Sequence, residues 1–141
     1  MPMTRRRDAR IDLLSQVELF RGCPKRELTL VAGLTTPAEV REGTVLCRQG
    51  AAALEAFVIV EGEAVVTIHD AEIARLGPGT FCGEMALLEH GARSATVTAV
   101  GPMKVLVLST SEFDQLVHDA PTVTRKMLVA LSNRLRTAEA R

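Results

Sequence analysis

A chain of 141 residues fits one domain able to bury about two-thirds of its unfolded surface, and with 47% hydrophobic and 24% charged residues the body cannot be a disordered or fibrous chain. Basic and acidic residues number 17 each, so no global field recruits nucleic acid or an anionic membrane, and any anion must be held locally. Four phenylalanines without tryptophan or tyrosine leave no stacking platform for single-stranded nucleic acid; Cys23, Cys47 and Cys82, widely spaced and without a C-x-x-C, suggest neither a disulfide framework nor a zinc or iron-sulfur site and fit a reducing cytoplasm.

Residues 1–10, MPMTRRRDAR, read as a basic tail. The segment after this tail is amphipathic rather than an apolar signal core, and the chain nowhere holds the roughly 18 consecutive apolar residues of a membrane span. Residues 11–141 are expected to form a single domain. Helices occupy 11–35: Ile11, Leu14 and Val17 share one side of a pattern ending near Gly22, and Pro24 opens a second helix carrying Leu28, Val31 and Leu34. Residues 38–109 have the texture of strands, AEVREGTVLCRQG, FVIVEGEAVVTIHD and AEIARLGPGT, each apolar run bounded by glycine or proline. Glu61-Gly62 between FVIV and EAVVTI predicts a hairpin, and Gly101-Pro102 between SATVTAV and MKVLVLS predicts a second antiparallel pair. Helical periodicity returns over 110–141, where Ser109-x-x-Glu112 forms a capping box ahead of Phe113, Leu116 and Val117. Pro121 then opens a longer helix with the apolar stripe Leu128, Leu131, Leu135 and Ala138. The order of helices, strands and helices predicts an α+β, mainly β domain with an antiparallel sandwich or barrel at its centre.

Within the strand region, FCGEMALLEHGARSATVTAV carries the carboxylate of Glu84 and one arginine, Arg93, with Glu89 and His90 between them, in a largely apolar or small stretch. Gly83 followed by Glu84-Met85-Ala86-Leu87-Leu88 reads as a short helix inserted between strands, whose free N–H groups and positive dipole end favour an anion. Arg93 offers a planar fork that matches phosphate in two-point contact. Its small neighbours Gly91, Ala92, Ser94 and Ala95 let backbone amides approach, and Glu84 is an acceptor suited to sugar hydroxyls. The combination describes a site for a phosphorylated sugar. Taken singly, Glu84 is a helix-start carboxylate and Arg93 a surface charge; their joint spacing selects the binding reading. Cys82 is expected to be a buried structural cysteine rather than a redox control of the site. His69, His90 and His118, in an expected turn, loop and helix, lack the H-x-H spacing of a cupin-like metal enzyme.

Gly83-Glu84-Met85-Ala86-Leu87 followed by Arg93-Ser94-Ala95 resembles the phosphate-binding cassette of the cyclic nucleotide-binding domain family, shared by catabolite activator proteins, regulatory subunits of protein kinase A and cyclic nucleotide-gated channels. LLSQVELFRGCPKRELTLVA, VREGTVLCRQG, FVIVEGEAVV and LSTSEFDQLVHDAP extend the resemblance over nearly the whole chain. It implies a jelly-roll barrel with no enzymatic activity, in which Glu84 binds the ribose 2′-hydroxyl, Arg93 the cyclic phosphate, and Gly83, Met85, Ala86, Ser94 and Ala95 complete the pocket. Serine at 94, where threonine often accompanies cyclic GMP, points to cyclic AMP. The family's last helix covers the base; here that region falls near Ala138, with Arg134 and Thr137 as further candidate lid residues. An effector protein is the expected partner, and the stripe Leu128, Leu131, Leu135 and Ala138 is expected either to pack on the barrel or to make a short homodimer seam along the C-terminal helix. The helix-turn-helix of the family's transcription factors is not among these residues, so specific DNA binding is not expected. The alternative from another class is a ligand-independent protein-interaction domain on the same fold.

Overall fold

The computed structural model describes residues 11–12, 14–52, 54–82 and 95–139, with backbone alone at 18, 131, 134, 135 and 137–139. They divide into two compact units: the described residues up to Gly33 together with those from Asp114 on, and, between these in sequence, Leu34–Phe113.

The central unit holds β1 (Thr36–Val40), β2 (Val45–Cys47), β3 (Glu55–Glu61), β4 (Ala64–Ile68), β5 (Ala71–Leu76), β6 (Phe81–Cys82), β7 (Thr96–Ala99) and β8 (Met103–Ser109). They build two four-stranded sheets in the orders β1-β8-β3-β6 and β2-β7-β4-β5, and each described pair is antiparallel. This is a jelly-roll sandwich, the mainly β architecture expected from the sequence. Its core includes Phe57 and Ile59 of β3, Met103 and Val105 of β8, and Val97 and Ala99 of β7. On the opposite face of β3 and β8, Ala56, Val58, Leu106 and Leu108 are also buried. Strands covered on both faces read as unbroken apolar runs, which accounts for FVIV and VLVL.

Neither hairpin expected from the sequence forms. β3 and β4 lie in different sheets, as do β7 and β8, so Glu61-Gly62 and Gly101-Pro102 carry the chain across the sandwich. The two crossings run side by side: Val100 donates its N–H to the Glu63 carbonyl at 3.1 Å, and a Cβ on Gly62 would stand 2.6 Å from the Pro102 carbonyl oxygen. A glycine between two β-branched runs marks a left-handed backbone position, here φ +93°, but does not say which partner each strand takes. Among the described residues, a hairpin joins β4 to β5. Its turn is His69-Asp70, with φ 50° and 66°, the doubly left-handed geometry that fits the twist of a two-residue hairpin.

The other unit begins with helical backbone at residues 11–12 and 14–16 and a 3-10 turn at Glu18–Phe20. Then come α1 (Lys25–Leu34) and, after the sandwich, α2 (Thr110–Asp119) and α3 (Pro121–Glu139), α2 straddling the boundary between the units. Ile11, Leu14, Val17, Leu28 and Val31 are buried as expected. The capping box of α2 closes reciprocally, Glu112 N–H donating to Ser109 Oγ at 3.3 Å and Ser109 N–H to Glu112 Oε1 at 2.8 Å. Pro121 opens α3, where its missing N–H costs nothing. Among the described side chains of α3, Val123 and Met127 are buried, whereas Leu128, the first residue of the expected stripe, is 55% exposed. The remaining side chains of that stripe lie outside the described residues. Among the described residues no helix is long and apolar enough to cross a membrane.

Candidate functional site

Gly83, Glu84, Met85, Ala86, Arg93 and Ser94 lie outside the described residues, and Ala95 is half-buried in the bend before β7. The structure places the two ends of this segment. Upstream, the turn Gly77-Pro78-Gly79-Thr80 is tied to itself by Thr80 Oγ1 donating to the Gly77 carbonyl at 2.7 Å. It is tied to β3 by Gly79 N–H on the Ile59 carbonyl at 2.8 Å and Ile59 N–H on the Thr80 carbonyl at 2.9 Å. These bonds deliver Phe81 and Cys82 into β6, opposite Val58 and Phe57. Cys82 is 3% exposed within the sandwich core, the place of a structural cysteine.

Downstream, Thr96 opens β7 opposite Thr67 of β4, and its hydroxyl accepts the Gln49 N–H at 2.9 Å. Gln49 Oε1 in turn accepts the His69 N–H of the β4–β5 turn at 3.0 Å. Residues 83–95 therefore leave the edge strand of one sheet and return to an inner strand of the other. In sequence, Glu84 stands two residues beyond the end of β6 and Arg93 precedes β7 by three. A carboxylate and a guanidinium, Glu84 and Arg93, on a connection whose ends are held by ladders suit a binding loop on a rigid scaffold. Gln49 and Thr96 are not singled out by the sequence; the visible signal is a polar pair, one in the R-Q-G ahead of a loop and the other directly after R-S-A.

The candidate lid residues Arg134, Thr137 and Ala138 fall on the last turns of α3, and their side chains lie outside the described residues. His69 sits in a turn and His118 on α2, as expected, while His90 is outside the described residues. Among the described residues no group of three or more His, Cys, Asp or Glu side chains could hold a metal. On the exposed strand β5 the Arg75 guanidinium is held charged by its bonds to Glu72 of the same strand and to Glu63, just ahead of β4, which places charge on a sheet edge and so protects it. Burial pushes the Cys23 thiol up. Glu27, on α1, is 1% exposed and has no counterpart among the sequence expectations. Burial pushes its carboxyl up, but bonds from Thr122 and Val123 at the start of α3 outweigh this and leave it below the ordinary value.

Residues 37–120 match the family model of the cyclic nucleotide-binding domain. A cyclic nucleotide-gated potassium channel of Rhizobium etli is 35% identical over 111 residues, which make up 79% of this chain and 31% of the channel. The chain thus spans about a third of the length of that curated relative. The regulatory domain of Toxoplasma gondii PKA, co-crystallised with cAMP, is similar with a TM-score of 0.79 at 26% identity, covering 93% of this chain and 51% of that one. For the catabolite activator protein of Thermus thermophilus the TM-score is 0.77 at 28% identity, with 86% and 60% covered. The strand order and the match over more than half of the residues lead to one conclusion: this chain belongs to the cyclic nucleotide-binding domain family.

Proposed function

We infer that the chain is a non-enzymatic regulatory module that binds a cyclic nucleotide, cAMP in preference to cGMP. The observation that supports this best is the pairing of Glu84 and Arg93 on one connection, within a chain of this family, between strands whose positions are held by hydrogen bonds. In this reading the Arg93 fork takes two oxygens of the cyclic phosphate, whose single negative charge needs one cation. Glu84 accepts from the ribose 2′-hydroxyl. Gly83, Met85, Ala86, Ser94 and Ala95 line the same pocket with backbone amides and a hydroxyl. The cAMP named with the Toxoplasma PKA regulatory domain supports the choice of ligand.

The response is carried by the C-terminal helix, with Arg134, Thr137 and Ala138 as the lid over the base. The exposed Leu128 and Val129 give α3 apolar positions for an effector protein or a second copy of the chain. The proposed setting is the cytoplasm. Isothermal calorimetry tests this reading. The expected result is saturable binding of one cAMP per chain, tighter than cGMP, with Arg93→Ala weakening it by about 2–3 kcal/mol, roughly 30- to 150-fold. Well-folded protein that binds neither nucleotide would overturn the reading and select the ligand-independent interaction domain.

A further inference from the structure

Thr96 is held from both flanks. Its backbone pairs with Thr67 of β4 on one side, and its hydroxyl takes the Gln49 N–H on the other. The β2–β7 ladder ends with Cys47 opposite Val97, so the hydroxyl continues that pairing one step beyond the point where backbone acceptors serve it. The Gln49 side chain extends the link by accepting the His69 N–H of the β4–β5 turn. That turn is itself a tight two-residue structure, so the chain of bonds ends on a fixed point rather than on a free side chain. The Gln49–Thr96 bond is partly buried, where water competes for it less than at a free surface.

We propose that Thr96 and Gln49 are positioning residues for anion binding: together with the His69-Asp70 turn they fix the point where the chain re-enters the sheet, three residues after Arg93 in sequence, and anion binding by Arg93 depends on that point being held. This rests on the reading of Arg93 as the phosphate ligand. Two-point recognition by a guanidinium is sensitive to displacement of about an ångström, and a loosely held exit widens the range of positions the arginine samples. A residue that only stabilises the fold lowers the melting temperature and leaves the affinity of the folded protein unchanged; a positioning residue changes the affinity.

The experiment titrates cAMP into the full chain well below its melting temperature and records ligand-free melting alongside. Thr96→Val keeps the strand-favouring shape and removes the acceptor. It is expected to raise Kd about tenfold while ligand-free melting falls by no more than roughly 5 °C. Thr96→Ser, which retains the hydroxyl, restores the wild-type Kd. Gln49→Ala keeps the bond to Thr96 but cuts the tie to His69, with an expected rise of about threefold; it remains decisive should Thr96→Val not fold. If wild type binds cAMP and Gln49→Ala and folded Thr96→Val bind it with unchanged Kd, the positioning role is overturned, whatever happens to melting. If wild type itself does not bind, the reading of Arg93 falls, and this inference falls with it.

Discussion

Glu27 shows how a single carboxylate can organise a helix it does not belong to. α3 begins at Pro121 after Ala120, a residue with no side-chain acceptor for the free N–H groups of a helix start. Glu27 supplies one from α1, accepting from Thr122 N–H at 2.9 Å and Val123 N–H at 3.0 Å, and its negative charge suits the positive end of the helix. Because its folded pKa lies below the ordinary 4.5, the stabilisation is complete above that pH and is lost as pH falls through the folded value. Glu27→Gln is expected to cost about 1–3 kcal/mol at pH 7 by urea unfolding, and the gap to wild type should narrow steadily below about pH 4.5. A gap that stays constant down to pH 3 would remove Glu27 from the acid sensitivity of the fold. In the sequence this residue is one charge in KREL, and nothing local distinguishes it from its exposed neighbours Lys25 and Arg26. Its partners stand 95 and 96 positions away.

For the elements, the sequence is a good guide to what forms and a poor one to what pairs. The capping box at Ser109 and Glu112, Pro121 at the start of α3 and the buried Leu28 and Val31 of α1 are all legible, because each depends on residues within one or two helical turns. The hairpins expected at Glu61-Gly62 and Gly101-Pro102 do not form, because a crossing between sheets needs the same turn residues as a tight hairpin. At His69 the sequence marks a turn but not the β4–β5 hairpin, because His69-Asp70 does without glycine. The crossing at Gly62 can be tested directly. A Cβ there would meet the Pro102 carbonyl oxygen at 2.6 Å and Met103 Cα at 3.0 Å, at a φ of +93°. Gly43 has a similar φ of +84° with nothing within 4 Å. Gly43→Ala is therefore expected to cost about 1 kcal/mol and Gly62→Ala about 3 kcal/mol or more, measured by chemical unfolding. Equal losses would mean that the two crossings do not press on each other at this point.

The proposed function makes its claim on the whole molecule through linkage. A ligand that binds only the folded chain stabilises it by about 2.7 kcal/mol at 100 times its Kd, which for a domain of this size raises Tm by roughly 10 °C. cAMP should produce that shift in wild type and one of only about 1–3 °C in Arg93→Ala at the same concentration. Hydrogen exchange in the same samples should slow in β6 and β7, which border the proposed site, and change in α3. A response confined to the strands would exclude the last helix from signalling. The sequence by itself determined the class of the fold and its order of helices, strands and helices, and it supplied the motif on which the proposed ligand site rests, because periodicity, caps and a contiguous motif are local properties of the chain. The tertiary structure alone decided that β3 and β4 part into different sheets, that a buried carboxylate of α1 caps α3, and that Gln49 joins Thr96 and His69 where the proposed binding segment returns to the sheet. Each of these contacts joins residues whose chemistry is ordinary in isolation and acquires its meaning only from the partner that folding brings to it.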